Sequence, residues 1–463
     1  MSNAATTKQK VGIDLTEGNI TKQLFRFALP LLLTNLLQQL YNAVDMAVIG
    51  HYVGSIGTVG VSSGGEIAAL VTFLATSFGS AAQIYVAQLF GAKDHKSISE
   101  TIETSLVFMT IMSLICMAVS ILFCDVFLAR LNTPREALEQ ARAYMIVVSL
   151  GLPFVFGYNA VCGILRGIGE ARRPLMFVTV AAVSNLIMDI LFVAIIPLEA
   201  TGTAIATVTA QVASFVAAAI FLYKKKDHFN LDFSVKGMKI YRSHLKILVE
   251  LGVPMTAQSA LIHGTQLICA SHVNSFGLVA SATNSIGNKV QRLINVFTMS
   301  VRGGAGAMIG QNLGARKIER VKKIVHTTIF FSCIFSGIAA LLAIFLPRQM
   351  FSLFTTDAAV VEFGVTYLRI NLIVFALAPV QGSFGAVVTG SGHTKLSFIT
   401  GVLDGVILRL GISFLFAYTL NMGVAGFFYG NALARLGPVI VNSTYYFSGK
   451  WKTRKLLVER AKE

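Results

Sequence analysis

The chain is 463 residues long, 54% hydrophobic and only 13% charged, with a mean hydropathy of +0.69. A soluble domain carries roughly 25% charged residues, so a water-soluble globule is excluded and most of the surface must meet lipid or other apolar helices. The formal charge of +16 does not point to nucleic acid, because Lys and Arg gather in short loops between apolar runs, where they report membrane topology.

Residues 1–19 are polar, with Ser2-Asn3-Ala4 resembling a cloning remnant, and no cleavable leader is expected. A bilayer core takes about 20 apolar residues per helix. Six runs fill the first half, around Phe25–Ile49, Val53–Ser80, Ser97–Phe123, Ala137–Gly157, Leu175–Ile196 and Gly202–Tyr223. The only long polar connection follows, from Lys224 to Arg242. Six more runs lie around Leu245–Cys269, Leu278–Ala307, Ile324–Leu346, Phe363–Val388, Leu396–Leu420 and Val424–Phe447. This predicts an all-α membrane protein with twelve transmembrane helices. Residues 1–223 form one six-helix lobe, 224–244 a cytoplasmic linker, and 245–463 a second lobe with a basic tail.

Loop charges give an independent count. Every second loop is basic: Lys8, Lys10, Lys22 and Arg26 before the first run, then Lys93 and Lys96, then Arg166, Arg172 and Arg173. The pattern continues with a cluster from Lys224 to Lys246, Arg316 to Lys323, Lys395, and the tail. By the positive-inside rule both termini are expected in the cytoplasm.

The halves also repeat one another. Gln88-Leu89-Phe90-Gly91-Ala92-Lys93 returns as Gln311-Asn312-Leu313-Gly314-Ala315-Arg316, and Gly167-Ile168-Gly169 returns as Gly390-Ser391-Gly392, each 223 positions later. Leu29-Pro30 returns as Val253-Pro254, one residue out of step. Six is even, so both halves enter the membrane the same way up and are related by a pseudo-two-fold axis along its normal, as in transporters with a pathway between repeats.

An ionisable side chain inside a span costs at least about 2.5–3.5 kcal/mol, so each needs a reason. In the first half Asp45 lies near the outer end of span one, and Asn185 and Asp189, four apart, share one face of span five. Thr207 in span six falls at a similar depth. Oxygens converging in this way suit a proton or Na⁺, since burial disfavours a bare carboxylate and oxygens can replace water around a hard cation. Interhelical glue, at about 0.6 kcal/mol per contact, would account for Asn185 and Thr207 but not for Asp45 and Asp189. No base inside a first-half span is available to pair with them.

Glu66 follows Ser62-Ser63-Gly64-Gly65 in mid-span. It either lines a substrate cavity or pairs across the lobes with Lys289 or Arg292. The second half is rich in interior bases, Lys289, Arg292, Arg302, Arg369, Arg409 and Arg435, against one acid, Asp404. Lys289, Arg292, Arg369, Asp404 and Arg409 are candidates for the cavity lining together with Glu66, and some of the bases are candidates to neutralise the two acids.

The five cysteines form no CxxC pair and read as small buried residues. No segment is long enough for a separate soluble domain, and no GxxxxGK[ST] is present. That disfavours a receptor, a scaffold with an enzymatic output, and an ATP-driven pump. No nucleophile–base pairing or metal-ligand spacing stands out, so an enzyme is not expected.

The residues resemble the multidrug and toxic compound extrusion (MATE) family over essentially the whole chain. The resemblance rests on proline early in spans one and seven, the Gln-x-x-Gly-Ala-Lys/Arg motif after spans two and eight, and Leu40-Tyr41-Asn42-Ala43-Val44-Asp45 in span one. The turn Arg166 to Arg172 with Pro174, and Ser184-Asn185-Leu186-Ile187-Met188-Asp189, complete it. It implies a V-shaped pair of bundles in a bacterial plasma membrane, exporting amphipathic cationic small molecules in exchange for H⁺ or Na⁺, with Asp45, Asn185, Asp189 and Thr207 as the coupling site. No cofactor beyond that ion, no nucleic acid, lipid as the surrounding partner and a monomeric state are expected. A flippase for a lipid-linked anionic precursor, of related architecture, is the competing expectation, with the interior bases clasping its pyrophosphate.

Overall fold

A computed structural model describes residues 12–131, 133–229, 231 and 238–462, apart from the side chain of Ser55. Lys8, Lys10 and Lys236, which contribute to the loop-charge pattern, lie outside the described residues. Among the described residues the expected spans fall on twelve long helices, one of them in two pieces. In the first lobe they are α1 (Ile20–Tyr52), α2 (Gly54–Gly91), α3 (His95–Leu122), α4 (Arg135–Leu150 with Leu152–Gly167), α5 (Arg172–Ile195) and α6 (Glu199–Lys224). In the second they are α7 (Arg242–Asn274), α8 (Leu278–Gly314), α9 (Ile318–Phe345), α10 (Ala358–Gly390), α11 (Thr394–Thr419) and α12 (Val424–Phe447).

Among the described residues nine helices are apolar and long enough to cross a membrane, and the two pieces of α4, bent by 46°, make a tenth. The remaining two, α1 and α8, are 33 and 37 residues long but more polar. They carry Asn35, Gln38, Gln39, Asn42 and Asp45, and Asn284, Asn288, Lys289, Gln291, Arg292 and Asn295. These two helices pack on each other across the lobes; Gln291 is buried, while Gln39, Asn42, Lys289 and Arg292 are exposed.

Local chemistry sets several helix ends. Asn19 and Asp94 accept the amides of Lys22 (3.0 Å) and Ser97 (3.1 Å) and cap α1 and α3. Pro30 and Pro254 sit inside unbroken helices. The sharp bend comes instead in α4, at Gly151, followed by Pro153 in the first turn of its second piece. That second piece carries α4 on to Gly167, beyond the end expected at Gly157, and α7 begins at Arg242, inside the segment expected to be linker.

The repeated motif proves to be the last turn of a helix rather than a loop. Gln88 Nε2, at the end of α2, donates to the Gly390 carbonyl (2.8 Å), while its Oε1 accepts the Leu457 amide (2.9 Å). Gln311, at the end of α8, donates to the Gly167 carbonyl (3.0 Å) and accepts the Leu15 amide (2.9 Å). Both glutamines are fully buried, so each bond replaces water that is no longer available. A Cβ on Gly91 would strike the Gln311 carbonyl, and one on Gly314 would strike that of Gln88; only glycine lets the two helices approach so closely. The segment before α1 and the chain after α12 thus both close over the seam. Asn35 to Ser300 Oγ (3.1 Å) and Glu66 to His263 (3.3 Å) join the lobes at mid-span. Farther toward the opposite end, no interlobe hydrogen bond or ion pair is present among the described residues.

Candidate functional site in the two lobes

The packing of α1 on α5 and of α5 on α6 builds the first-lobe site. Asn185 and Asp189 occupy one face of α5, and the helix widens into a π-helical turn over Ile190–Ile195 immediately after Asp189. Such widened turns recur at functional positions because they re-aim side chains. Asn185 is 1% exposed and Asp189 0%. Asp45, half-buried on α1, lies within side-chain hydrogen-bonding reach of both. Even so, Asp45 Oδ1, both Asp189 carboxyl oxygens and both polar atoms of the Asn185 carboxamide are buried without a fully formed hydrogen bond. Two carboxylates shielded from water repel each other strongly, and a shared proton or monovalent cation relieves that repulsion. Among the described residues no group of three or more His, Cys, Asp or Glu side chains could hold a metal ion; this site offers two carboxylates and a carboxamide.

Tyr41 and Tyr144 complete the surroundings. Tyr41 lies within electrostatic reach of Asp45, and Tyr144, on α4, of both Asp45 and Asp189. Tyr41 precedes Asp45 by four residues, so spacing alone places it on the same helix face; nothing in the local sequence marks Tyr144. Thr207 is half-buried on α6. One turn earlier, Thr203 is 1% exposed and its hydroxyl has no partner. Neither hydroxyl makes a hydrogen bond to the carboxylates among the described residues.

The structure assigns Glu66 a partner other than the expected bases. His263 Nε2 on α7 meets Glu66 Oε2 at 3.3 Å, with Phe73 edge-on to the imidazole at 5.1 Å. The pair spans the lobes on half-exposed side chains. Lys289 and Arg369 are exposed and make no ion pair among the described residues, so neither neutralises Glu66. Arg292 is also exposed.

Asp404 and Arg409, expected at the cavity lining, are spent on each other. They form an ion pair with both partners under 5% exposed, and Arg409 also donates to Asn431 Oδ1. Both lie in a π-helical stretch, Val402–Leu410, that turns residues five apart toward one another. Nearby, Arg435 Nη1 donates to Gln381 Oε1 (3.1 Å), and Tyr367 donates to Asn288 Oδ1 (3.3 Å). All five cysteines are free.

Comparison with known proteins is consistent in one direction. The sequence profile of the family described as MatE matches residues 30–191 and 254–419, one segment in each lobe. A probable multidrug resistance protein of Bacillus subtilis, YpnP, is 28% identical over 450 residues, covering 96% of this chain and 99% of its own. The multidrug export protein MepA of Staphylococcus aureus is 24% identical over 407 residues, 88% of this chain and 89% of its own. Among solved structures, an outward-facing multidrug resistance MATE transporter superposes with a TM-score of 0.89 at 21% identity, over 96% of this chain and 100% of its own. A Pyrococcus furiosus transporter of the MOP superfamily superposes equally well, TM-score 0.89 at 20% identity over 97% and 100% of the two chains. It is described in the words "reverse polarity of binding pocket suggests different function".

Proposed function

The chain belongs to the MatE family and is an integral membrane transporter rather than an enzyme, and on that premise we propose that it is a cation-coupled antiporter exporting amphipathic small molecules by alternating access. The carrying observation is the buried carboxylate pair, Asp45 and Asp189, with Asn185 beside it and five polar atoms lacking full hydrogen bonds. H⁺ or Na⁺ is the coupling ion and no other cofactor takes part. The basic loops support cytoplasmic termini by the positive-inside rule, and the membrane on this reading is the bacterial inner membrane. The Gln88 and Gln311 contacts then face inward, and the arrangement corresponds to an outward-open state of a monomer.

In that state the ion enters between Asp45 and Asp189 and substrate leaves to the outside. The lobes rock, the Gln88 and Gln311 contacts part, and the ion is released inward as new substrate enters. The membrane potential supplies about 2.3 kcal/mol per charge per 100 mV if net charge moves. The test is reconstitution in vesicles with a fluorescent amphipathic dye, under a pH gradient and then a Na⁺ gradient. Dye movement that follows one gradient and is lost in Asp45→Asn is the expected result and names the ion. Transport unaltered by that substitution overturns the mechanism. A lipid-linked anionic precursor is the second substrate reading, favoured by the arginines of the second lobe; pyrophosphate-dependent binding lost in Arg292→Ala would support it.

A further inference from the structure

The second lobe holds more positive charge than it neutralises. In α7, α8, α11 and α12 the only acids are Glu250, near the start of α7, and Asp404. Glu250 bonds Arg460 of the tail and Asp404 bonds Arg409. Arg302 on α8 and Arg435 on α12 are half-buried, and Arg302 makes no hydrogen bond or ion pair among the described residues. Arg435 reaches only the neutral Gln381. Arg435 lies within electrostatic reach of Asp404, Arg409 and Arg302, and Tyr367 within that of Arg435, Arg409 and Arg292. Gly382 and Gly385 on α10 leave room for Arg302: a Cβ on Gly385 would sit 3.6 Å from its Cζ and 3.2 Å from Asn442 Nδ2. The Arg302 guanidinium and the Asn442 carboxamide, whose N–H also donates to the Gln381 carbonyl (3.4 Å), thus converge on Gly385, and Arg435 joins the same stretch of α10 through Gln381, where the nearby acid, Asp404, is already paired with Arg409.

Half-buried cations with no ion pair of their own are costly, and planar guanidinium groups match carboxylate and phosphate oxygens in pairs. We propose that Arg302 and Arg435, with Asn442 beside Arg302, form an anion subsite in the second lobe that binds the carboxylate or phosphate group of an amphipathic ligand. Its physiological meaning as a substrate subsite rests on the transporter reading above, whereas the subsite itself does not. The opposite charge of the two lobes then divides the labour: acids in the first lobe for the coupling cation, bases in the second for the ligand's anionic end.

The probe is a rhodamine as its free carboxylic acid and as its ethyl ester, which differ in that one group. Equilibrium binding to the full-length protein, measured by fluorescence anisotropy in phosphatidylcholine nanodiscs, is expected to favour the acid by about tenfold, the scale of one charge-assisted contact. In Arg302→Gln/Arg435→Gln the ratio should fall toward one. In Arg302→Lys/Arg435→Lys, which keeps the charge and guards against a folding defect, it should be largely retained. Equal affinity for the two dyes in the unaltered protein overturns the proposal, as does a glutamine variant that folds and keeps the preference. Repeating the titration in phosphatidylglycerol nanodiscs separates the sources: loss of acid binding there identifies a lipid headgroup as occupant, and retained binding identifies the soluble ligand. Because binding is read without a gradient, failure of antiport and failure of the subsite are distinguishable. Dye transport lost in Asp45→Asn with the acid preference intact would uphold both.

Discussion

In the first lobe Asp45 and Asp189 face one another, and among the described residues neither forms an ion pair with a base. In the second, Arg302 and Arg435 face one another's charge while Asp404, the acid in their midst, is fully engaged by Arg409. Both interiors are built on the same six-helix repeat, with α5 and α11 each widened by π-helical turns at the charged residues. The two halves thus share one scaffold while the polarity of their interiors differs. A carboxylate in one lobe is poised to exchange a cation, and a carboxylate in the other is locked into structure.

That contrast can be broken experimentally. The largest effect is expected from Asp404→Ala, which strands Arg409 as a buried charge and should cost about 3–5 kcal/mol of stability, read as a lowered melting temperature. Asp404→Leu with Arg409→Leu should recover most of it. Asp45→Asn should do the reverse, leaving melting unchanged or raised because a like-charge contact is gone, while coupled transport falls roughly 100-fold. If Asp45→Asn destabilises as Asp404→Ala does, the two acids are equivalent and the contrast fails.

A smaller effect separates the matching turns of the repeat, Glu170 before α5 and His393 before α11. Burial, reinforced by Arg454 and Lys395, holds the His393 imidazole down at about 4 against an ordinary 6.5. The unfolded chain takes up a proton there before the folded one does. The stability His393 protects is thus complete above pH 6.5 and is lost as pH falls toward 4, by about 1 kcal/mol once screening at a half-buried site is allowed for. His393→Gln should flatten the melting temperature over that window, and Glu170→Gln should leave it in place. The smallest effect belongs to Glu66→Gln. It removes a half-exposed interlobe pair worth about 0.5 kcal/mol and should shift spin-label distances across the far end of the cleft by about a twofold change in population.

Much of this was legible before any coordinates. Apolar runs, loop charges and the internal repeat are local or periodic signals, and they placed every span. Asn185 and Asp189 were legible because a spacing of four fixes a shared helix face. What lay beyond reach depends on distance along the chain. Glu66 and His263 are 197 residues apart, and no periodicity links an acid in one lobe to one particular histidine in the other. Arg409 is five residues from Asp404, a spacing that faces apart in an α-helix and together only where the helix widens. The cut of α2 and α8 short of their true ends had a similar cause: polarity at Gln88 and Gln311 reads as a loop until the opposing lobe is there to bury it.

The Gln88 and Gln311 contacts are reciprocal: each residue binds the other half at the same position of its own repeat. That is the signature of an isologous dimer interface, in which one patch serves both sides of a two-fold axis. A single six-helix half, expressed alone, would carry both the donor and the acceptor of this contact. The join between the lobes thus has the chemistry of a homodimer contact held within one chain.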